Sequence, residues 1–149
     1  MKDILDIQDR LTELEDLEDD IDDFSEELFD TESELGELPE NMCEDRTFLE
    51  EEKIRLEKKL KELRDEANYL EEEYGMFYAM FSKYFDLELK NCSSLLSEDE
   101  LEEAIKGDIP SKYNDALNDG YFDIEQYVED QKSNYTIYED STGTYWYAY

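Results

Sequence analysis

Apolar residues open the chain at Ile4, Ile7, Leu11, Leu14, Leu17, Ile21, Phe24 and Leu28, spaced 3, 4, 3, 3, 4, 3 and 4. Steps of three and four place them on one helical stripe, the seam of a coiled coil. The extra three-residue step between Leu14 and Leu17 is a stammer, which overwinds the helix locally. Gly36 reads as a C-cap and Pro39 as a stop. A second helix is predicted to start between Asn41 and Asp45. In it Met42, Leu49, Leu56, Leu63, Leu70, Phe77 and Tyr84 recur every seven residues. Arg46, Lys53, Leu60, Ala67, Tyr74 and Phe81 fill the companion row, polar at its start and apolar later. Gly75 is a candidate kink. The short connection between the helices predicts an antiparallel hairpin.

From Asp86 the period changes. Ser97 and Glu100 have capping-box spacing and open a short helix that Gly107 closes. Pro110 and Ser111 start a further turn or helix, ended by Gly120. Asp123 is placed to N-cap a third helix, with Ile124, Tyr127 and Val128 on its apolar face. Tyr135–Tyr138 and Thr144–Tyr149 are β-prone runs around Ser141-Thr142-Gly143 and read as a terminal hairpin. Tyr145, Tyr147 and Tyr149 share one face of its second strand, and one face is expected to pack on Phe77, Phe81 and the Asp123 helix. The expected fold class is α+β, mostly α. A long antiparallel helical coiled-coil hairpin over residues 1–85 precedes a compact acidic C-terminal domain over residues 86–149.

Charge changes the picture most. The 149 residues carry 46 Asp and Glu against 14 Lys and Arg, a net charge of −32, and no His. Such a chain is repelled by phosphates and by anionic membrane surfaces, so neither direct nucleic-acid nor membrane binding is expected. Low hydropathy with high net charge is a signature of disorder, but 13% aromatic content opposes it. Of the 20 aromatic residues, 17 lie between Tyr69 and Tyr149, which predicts a folded back end. There is no membrane-length apolar run and no signal peptide at the start, so a cytoplasmic location is expected, in the host cell if the gene is carried by a phage. Cys43 and Cys92 read as reduced thiols.

The charge is uneven. Residues 1–35 hold 16 acids and 2 bases; residues 36–64 hold 9 acids and 7 bases. Lys53, Arg55, Lys58, Lys59, Lys61 and Arg64 can lie beside helix one and offset part of its repulsion. Between Glu15 and Glu27, nine of thirteen residues are acids. Like charges four apart destabilise a helix by a few tenths of a kcal/mol per pair, and solubility needs a net charge of only about 2–8. The excess therefore points to function. Sixteen acids over some 33 residues rising about 1.5 Å each give roughly one charge per 3 Å. A single strand of B-DNA carries one per about 3.4 Å.

Other chemistry is weak. Asp115, Asp119, Gly120 and Asp123 partly match a calcium loop, but Leu117 occupies a ligand position and Gln126 replaces the bidentate Glu. No phosphate-binding Gly loop, Cys-x-x-Cys or Ser-His pair occurs. No enzymatic activity, cofactor or metal is expected. The aromatic hairpin reads first as core and second as a partner patch that admits a homodimer.

One stretch, about residues 96–149, resembles a known family. LLSEDELEEAIKGDIP, followed by FDIEQYVEDQKSNYTIYEDSTGTYWYAY, is similar to the C-terminal region of ArdA-type antirestriction proteins and related acidic phage proteins. Those also carry an acidic helix closing on Gly-(Asp/Glu)-Ile-Pro, matched here by Gly107–Pro110, and end in an aromatic hairpin. The resemblance implies a DNA mimic that occupies the DNA site of a restriction-modification enzyme. The longer body of that family is replaced here by the helical hairpin, and its acidic antirestriction motif has no counterpart, so no site residue follows from the resemblance.

The expected function is a phage or mobile-element DNA-mimic inhibitor of a host defence enzyme, either a restriction-modification enzyme or a CRISPR effector. Its partner would be a basic nucleic-acid-binding host protein. The phosphate-mimicking residues would be Asp16, Glu18, Asp19, Asp20, Asp22, Asp23, Glu26 and Glu27, with Asp123, Glu125, Glu129 and Asp130. The alternative is a coiled-coil interaction or assembly module without mimicry. A continuous two-row stripe of acids on helix one favours mimicry; acids scattered over both helices favour the scaffold.

Overall fold

A computed structural model describes all 149 residues. In chain order it contains β1 (Lys2–Asp3), α1 (Ile4–Glu37), α2 (Cys43–Tyr74), α3 (Tyr78–Tyr84), β2 (Ser94–Leu96), α4 (Glu98–Gly107), α5 (Asn114–Asn118), α6 (Ile124–Lys132), β3 (Ile137–Glu139) and β4 (Tyr145–Ala148). The chain is α+β and mostly α. It divides into two compact units, Asp9–Gly75 and Met1–Gln8 with Met76–Tyr149.

The Asp9–Gly75 unit is a helical hairpin. Leu14 and Leu17 of α1 cluster with Leu63, Ala67 and Leu70 of α2, flanked by Ile21, Phe24 and Tyr74. Towards the turn, Glu32 Oε1 meets Lys53 Nζ at 3.1 Å, and Arg46 Nη2 donates to the Leu38 carbonyl at 3.3 Å. Positions rise on α1 as they fall on α2, so the helices are antiparallel. Burial is uneven along the seam. Leu14 and Leu17 are buried, whereas Ile21, Phe24 and Leu28 are half-buried. On α2 burial reaches further towards the turn, to Leu60 and Leu56, and stops where Arg46 and Lys53 enter the row and meet Leu38 and Glu32. Buried apolar area thus concentrates away from the turn, and the turn end is the less stable end.

The second unit is built on a four-stranded antiparallel sheet in the order β1-β2-β4-β3. The expected terminal hairpin is its β3–β4 half, in the register Ile137↔Tyr147 to Glu139↔Tyr145. Strands β1 and β2 were not legible in the sequence, and they pair as Lys2↔Leu95 and Asp3↔Ser94. Asp3 Oδ1 also accepts from the Asp6 amide at 3.0 Å and caps the first turn of α1.

The sheet is covered on both faces. On one, Phe77 is fully buried and meets Trp146 edge-on at 5.2 Å, and Tyr84 meets Tyr138 at 5.1 Å. On the other, Tyr147 and Leu96 pack with Leu101 and Ile105 of α4 and Val128 of α6. The expected single packing face is therefore divided: Trp146 serves the Phe77 side and Tyr147 the α6 side, while Tyr145 and Tyr149 are exposed.

The compact units also divide at Gly75, not at residue 85 as the sequence suggested. The α-helix stops at Tyr74, a single 3-10 turn spans Gly75–Phe77, and α3 follows. The seven-residue repeat runs unbroken through Phe77 and Tyr84 and so conceals the break. The capping box at Ser97 and Glu100 and the Asp123 N-cap both form as the sequence indicates. No helix is long and apolar enough to cross a membrane.

Candidate functional site

The acids of α1 are placed by the helical period. The seam takes Leu14, Leu17, Ile21, Phe24 and Leu28, and the residues between fall on the opposite side. Glu15, Asp19, Asp22, Glu26 and Asp30 form one row, with steps of 4, 3, 4 and 4. Asp16, Asp20, Asp23 and Glu27 form a second row beside it, with steps of 4, 3 and 4. Glu18 borders the first row. Asp16, Glu18, Asp19, Asp20, Asp22, Asp23, Glu26 and Glu27 are all exposed. The ten acids from Glu15 to Asp30 span about 24 Å of helix, one per about 2.4 Å. That density lies between those of one strand and of both strands of B-DNA.

No salt bridge neutralises Asp16, Glu18, Asp19, Asp20, Asp22, Asp23, Glu26 or Glu27. Glu27 lies near enough to Arg55 to raise the guanidinium pKa slightly, after the larger effect of the Glu52 hydrogen bond. Of the expected basic neighbours, Lys53 reaches α1 and bonds Glu32, beyond the stripe; Arg55 is held within its own helix by Glu52, with Nε to Oε2 at 3.0 Å. The α2 surface is of a different kind, with 12 acids and 7 bases interleaved. The like charge is thus ordered on one helix and mixed on the other.

The C-terminal candidates belong to the other unit and have local work. Asp123 caps α6, accepting from the Gln126 amide at 3.0 Å. Asp130 accepts from Gln126 Nε2 at 2.8 Å. Glu129 bonds Lys132 at 3.1 Å. Glu125 is exposed beside a shallow groove with Glu102 and Lys106. Asp123, Glu129 and Asp130 are therefore engaged in holding α6, unlike the α1 rows.

Two charged centres escaped the sequence reading. Lys132 is buried and donates to Glu102 at 2.6 Å, Glu98 at 2.9 Å and Glu129 at 3.1 Å. Those hydrogen bonds, led by Glu102 and then Glu98, raise its pKa far above the ordinary lysine value. Its signal was position: Lys132 follows Val128 by four residues, on the apolar face of α6. Asp140 is also buried and organises the β3–β4 turn. Its Oδ1 accepts from the Thr142 amide (2.8 Å), the Thr142 hydroxyl (2.6 Å) and the Thr144 amide (3.1 Å), and its Oδ2 from Trp146 Nε1 at 2.9 Å. Burial pushes this carboxyl up, but the hydrogen bonds outweigh burial and hold it below its usual value. Gly143 completes the turn at φ +84°, where a side chain would be strained.

Elsewhere the Met1 amino group and the Ser97 amide hold the Glu100 carboxyl down to about 2. Burial, reinforced by the hydrogen bond to Glu88, pushes the Tyr138 hydroxyl well above its ordinary pKa. The Asp115–Asp119 segment forms α5 and its end, with Gly120 at φ +75°, and no group of three or more acids or thiols converges as a metal site. Comparison with known proteins found no matching family, no matching curated sequence and no matching solved structure.

Proposed function

We propose that the protein is a DNA-mimic inhibitor, which places the α1 carboxylates in the basic nucleic-acid channel of a host defence enzyme. The observation that carries this reading is the two-row stripe from Glu15 to Asp30, exposed and free of salt bridges from Asp16 to Glu27. A row of acids packed this closely works against its own helix. A structural coiled coil gains nothing from it, because the seam alone drives pairing. Against a channel built of Lys and Arg the same row is complementary. It releases the channel's bound anions, and it arrives already ordered because the seam fixes the helix.

The mechanism is competitive. The stripe steers encounter electrostatically, so association is fast and falls with ionic strength. Each carboxylate is solvated and contributes modestly; affinity comes from their number. The resemblance of residues 96–149 to ArdA-type proteins agrees with this reading and suggests a restriction-modification enzyme as one class of target.

Affinity capture from a bacterial lysate at low salt tests the proposal. Immobilised protein should retain a DNA-processing enzyme and release it when duplex DNA is added. Retention of partners that duplex DNA does not displace would favour a coiled-coil scaffold.

A further inference from the structure

The order β1-β2-β4-β3 leaves one side of β3 without a neighbouring strand. In an antiparallel ladder, successive residues turn their N–H and C=O groups alternately towards the partner and away. The Thr136 carbonyl accepts from the Ala148 amide at 3.0 Å, and the Asp140 amide donates to the Thr144 carbonyl at 2.9 Å. The register between these bonds is continuous. The even-numbered residues therefore face β4, and Ile137 and Glu139 present their backbone groups outward. Beside them lies a groove of about 700 Å³, walled by Met80, Lys83 and Tyr84 of α3 and by Thr136 to Glu139. It touches Tyr138 from one face of the sheet and Ile137 and Tyr145 from the other, which is the position of a space beyond the strand's edge.

We infer that this edge takes up an extended segment of a basic partner protein by strand addition. The outward N–H and C=O groups of Ile137 and Glu139 supply main-chain pairing, and α3 supplies a wall for alternate side chains. Ile137 and Tyr145 are 51% and 57% exposed, so an apolar side chain on their face would gain burial. Charge selects the occupant. A second copy would bring another 32 negative charges to the edge, whereas Lys or Arg residues are attracted to Glu88 and Glu139, which outnumber the one groove cation, Lys83, and to the chain as a whole. This inference goes beyond DNA mimicry: it draws on the net charge of the chain but requires no α1 carboxylate to meet the partner.

The probe is a ten-residue peptide of alternating Val and Lys, measured in about 0.5 M salt to suppress unspecific attraction. Two further versions carry N-methyl groups on the odd or on the even amides, with identical charge. One methylated set should lose at least tenfold in affinity while the other binds as the parent does. In NMR, hydrogen exchange of the Ile137 and Glu139 amides should slow on binding. Ile137→Pro removes an outward N–H without touching the β4 ladder and should also lose at least tenfold, with the far-UV spectrum unchanged. If that variant fails to fold, the methylated pair still decides. No binding by the parent peptide, equal binding by both methylated sets, or full binding by folded Ile137→Pro would overturn the inference. So would a dimer in sedimentation that Ile137→Pro abolishes, since it would assign the edge to a second copy.

Discussion

Replacing Asp140 by Asn tests whether one local network outweighs global repulsion. The native carboxylate accepts four hydrogen bonds, three at Oδ1 and one at Oδ2. Asn has one acceptor oxygen. In the better orientation it keeps the two amides and the Thr142 hydroxyl, and its NH₂ then faces the Trp146 N–H, donor against donor. The lost bond to an ionised acceptor costs about 1.5–3 kcal/mol. The three bonds that remain lose their charge assistance, which roughly halves them and adds about 1 kcal/mol. Against this, removing one of 32 net negative charges relieves a few tenths of a kcal/mol of repulsion at most. The balance is a loss of about 2–4 kcal/mol, or a fall in Tm of roughly 5–15 °C at this chain length. Trp146 is the sole tryptophan, so its fluorescence and near-UV dichroism report on this turn directly. The folded pKa of Asp140 is depressed, so its contribution is present above the unfolded value near 4 and is lost as pH falls through the folded value. Wild type and variant should therefore converge in acid. An unchanged or raised melting temperature at pH 7 would show instead that charge relief dominates over the turn's hydrogen bonds.

Glu100→Gln should flatten the acid limb of stability. The Glu100 carboxyl titrates at about 2 in the fold, against about 4.3 unfolded, so its contribution is full above pH 4.5 or so and disappears as pH falls towards 2; equal acid slopes in both proteins would exclude it. Lys132→Met leaves Glu98, Glu102 and Glu129 facing one another and should cost about 1–3 kcal/mol in urea unfolding at pH 7; a more stable variant would mean that burying the charge outweighs its bonds. Raising NaCl from about 0.05 to 0.5 M should raise the melting temperature, because screening relieves the α1 rows; a fall would mean that salt bridges outweigh the repulsion.

The two helices and the acid rows were legible because a 3.6-residue period fixes both which residues meet and which face solvent. The Ser97–Glu100 box and the Asp123 cap were legible because capping is decided within four residues. Strands β1 and β2 were not. They are two and three residues long, and β2, Ser94-Leu95-Leu96, is buried on both faces and shows no alternation. The pairing of Lys2 with Leu95 spans some ninety residues of sequence and has no local signature. The candidate site was half legible for a related reason. Spacing identified the α1 rows, but net charge alone could not separate them from Asp123, Glu129 and Asp130, whose hydrogen bonds depend on where α6 places its neighbours.

If the α1 carboxylates act together as a phosphate row, the salt dependence of binding to the captured DNA-processing enzyme will show it. The wild type is compared with a variant carrying Asp19→Asn, Asp20→Asn, Asp22→Asn, Asp23→Asn, Glu26→Gln and Glu27→Gln. These changes keep side-chain size and leave Leu17, Ile21, Phe24 and Leu28 in the seam. For wild type, log affinity should fall steeply and linearly with log salt, as it does for DNA. For the variant, with helicity unchanged in circular dichroism, both the affinity and the slope should collapse. A folded sixfold variant that binds with the wild-type affinity and slope would mean that the α1 carboxylates are not the contact.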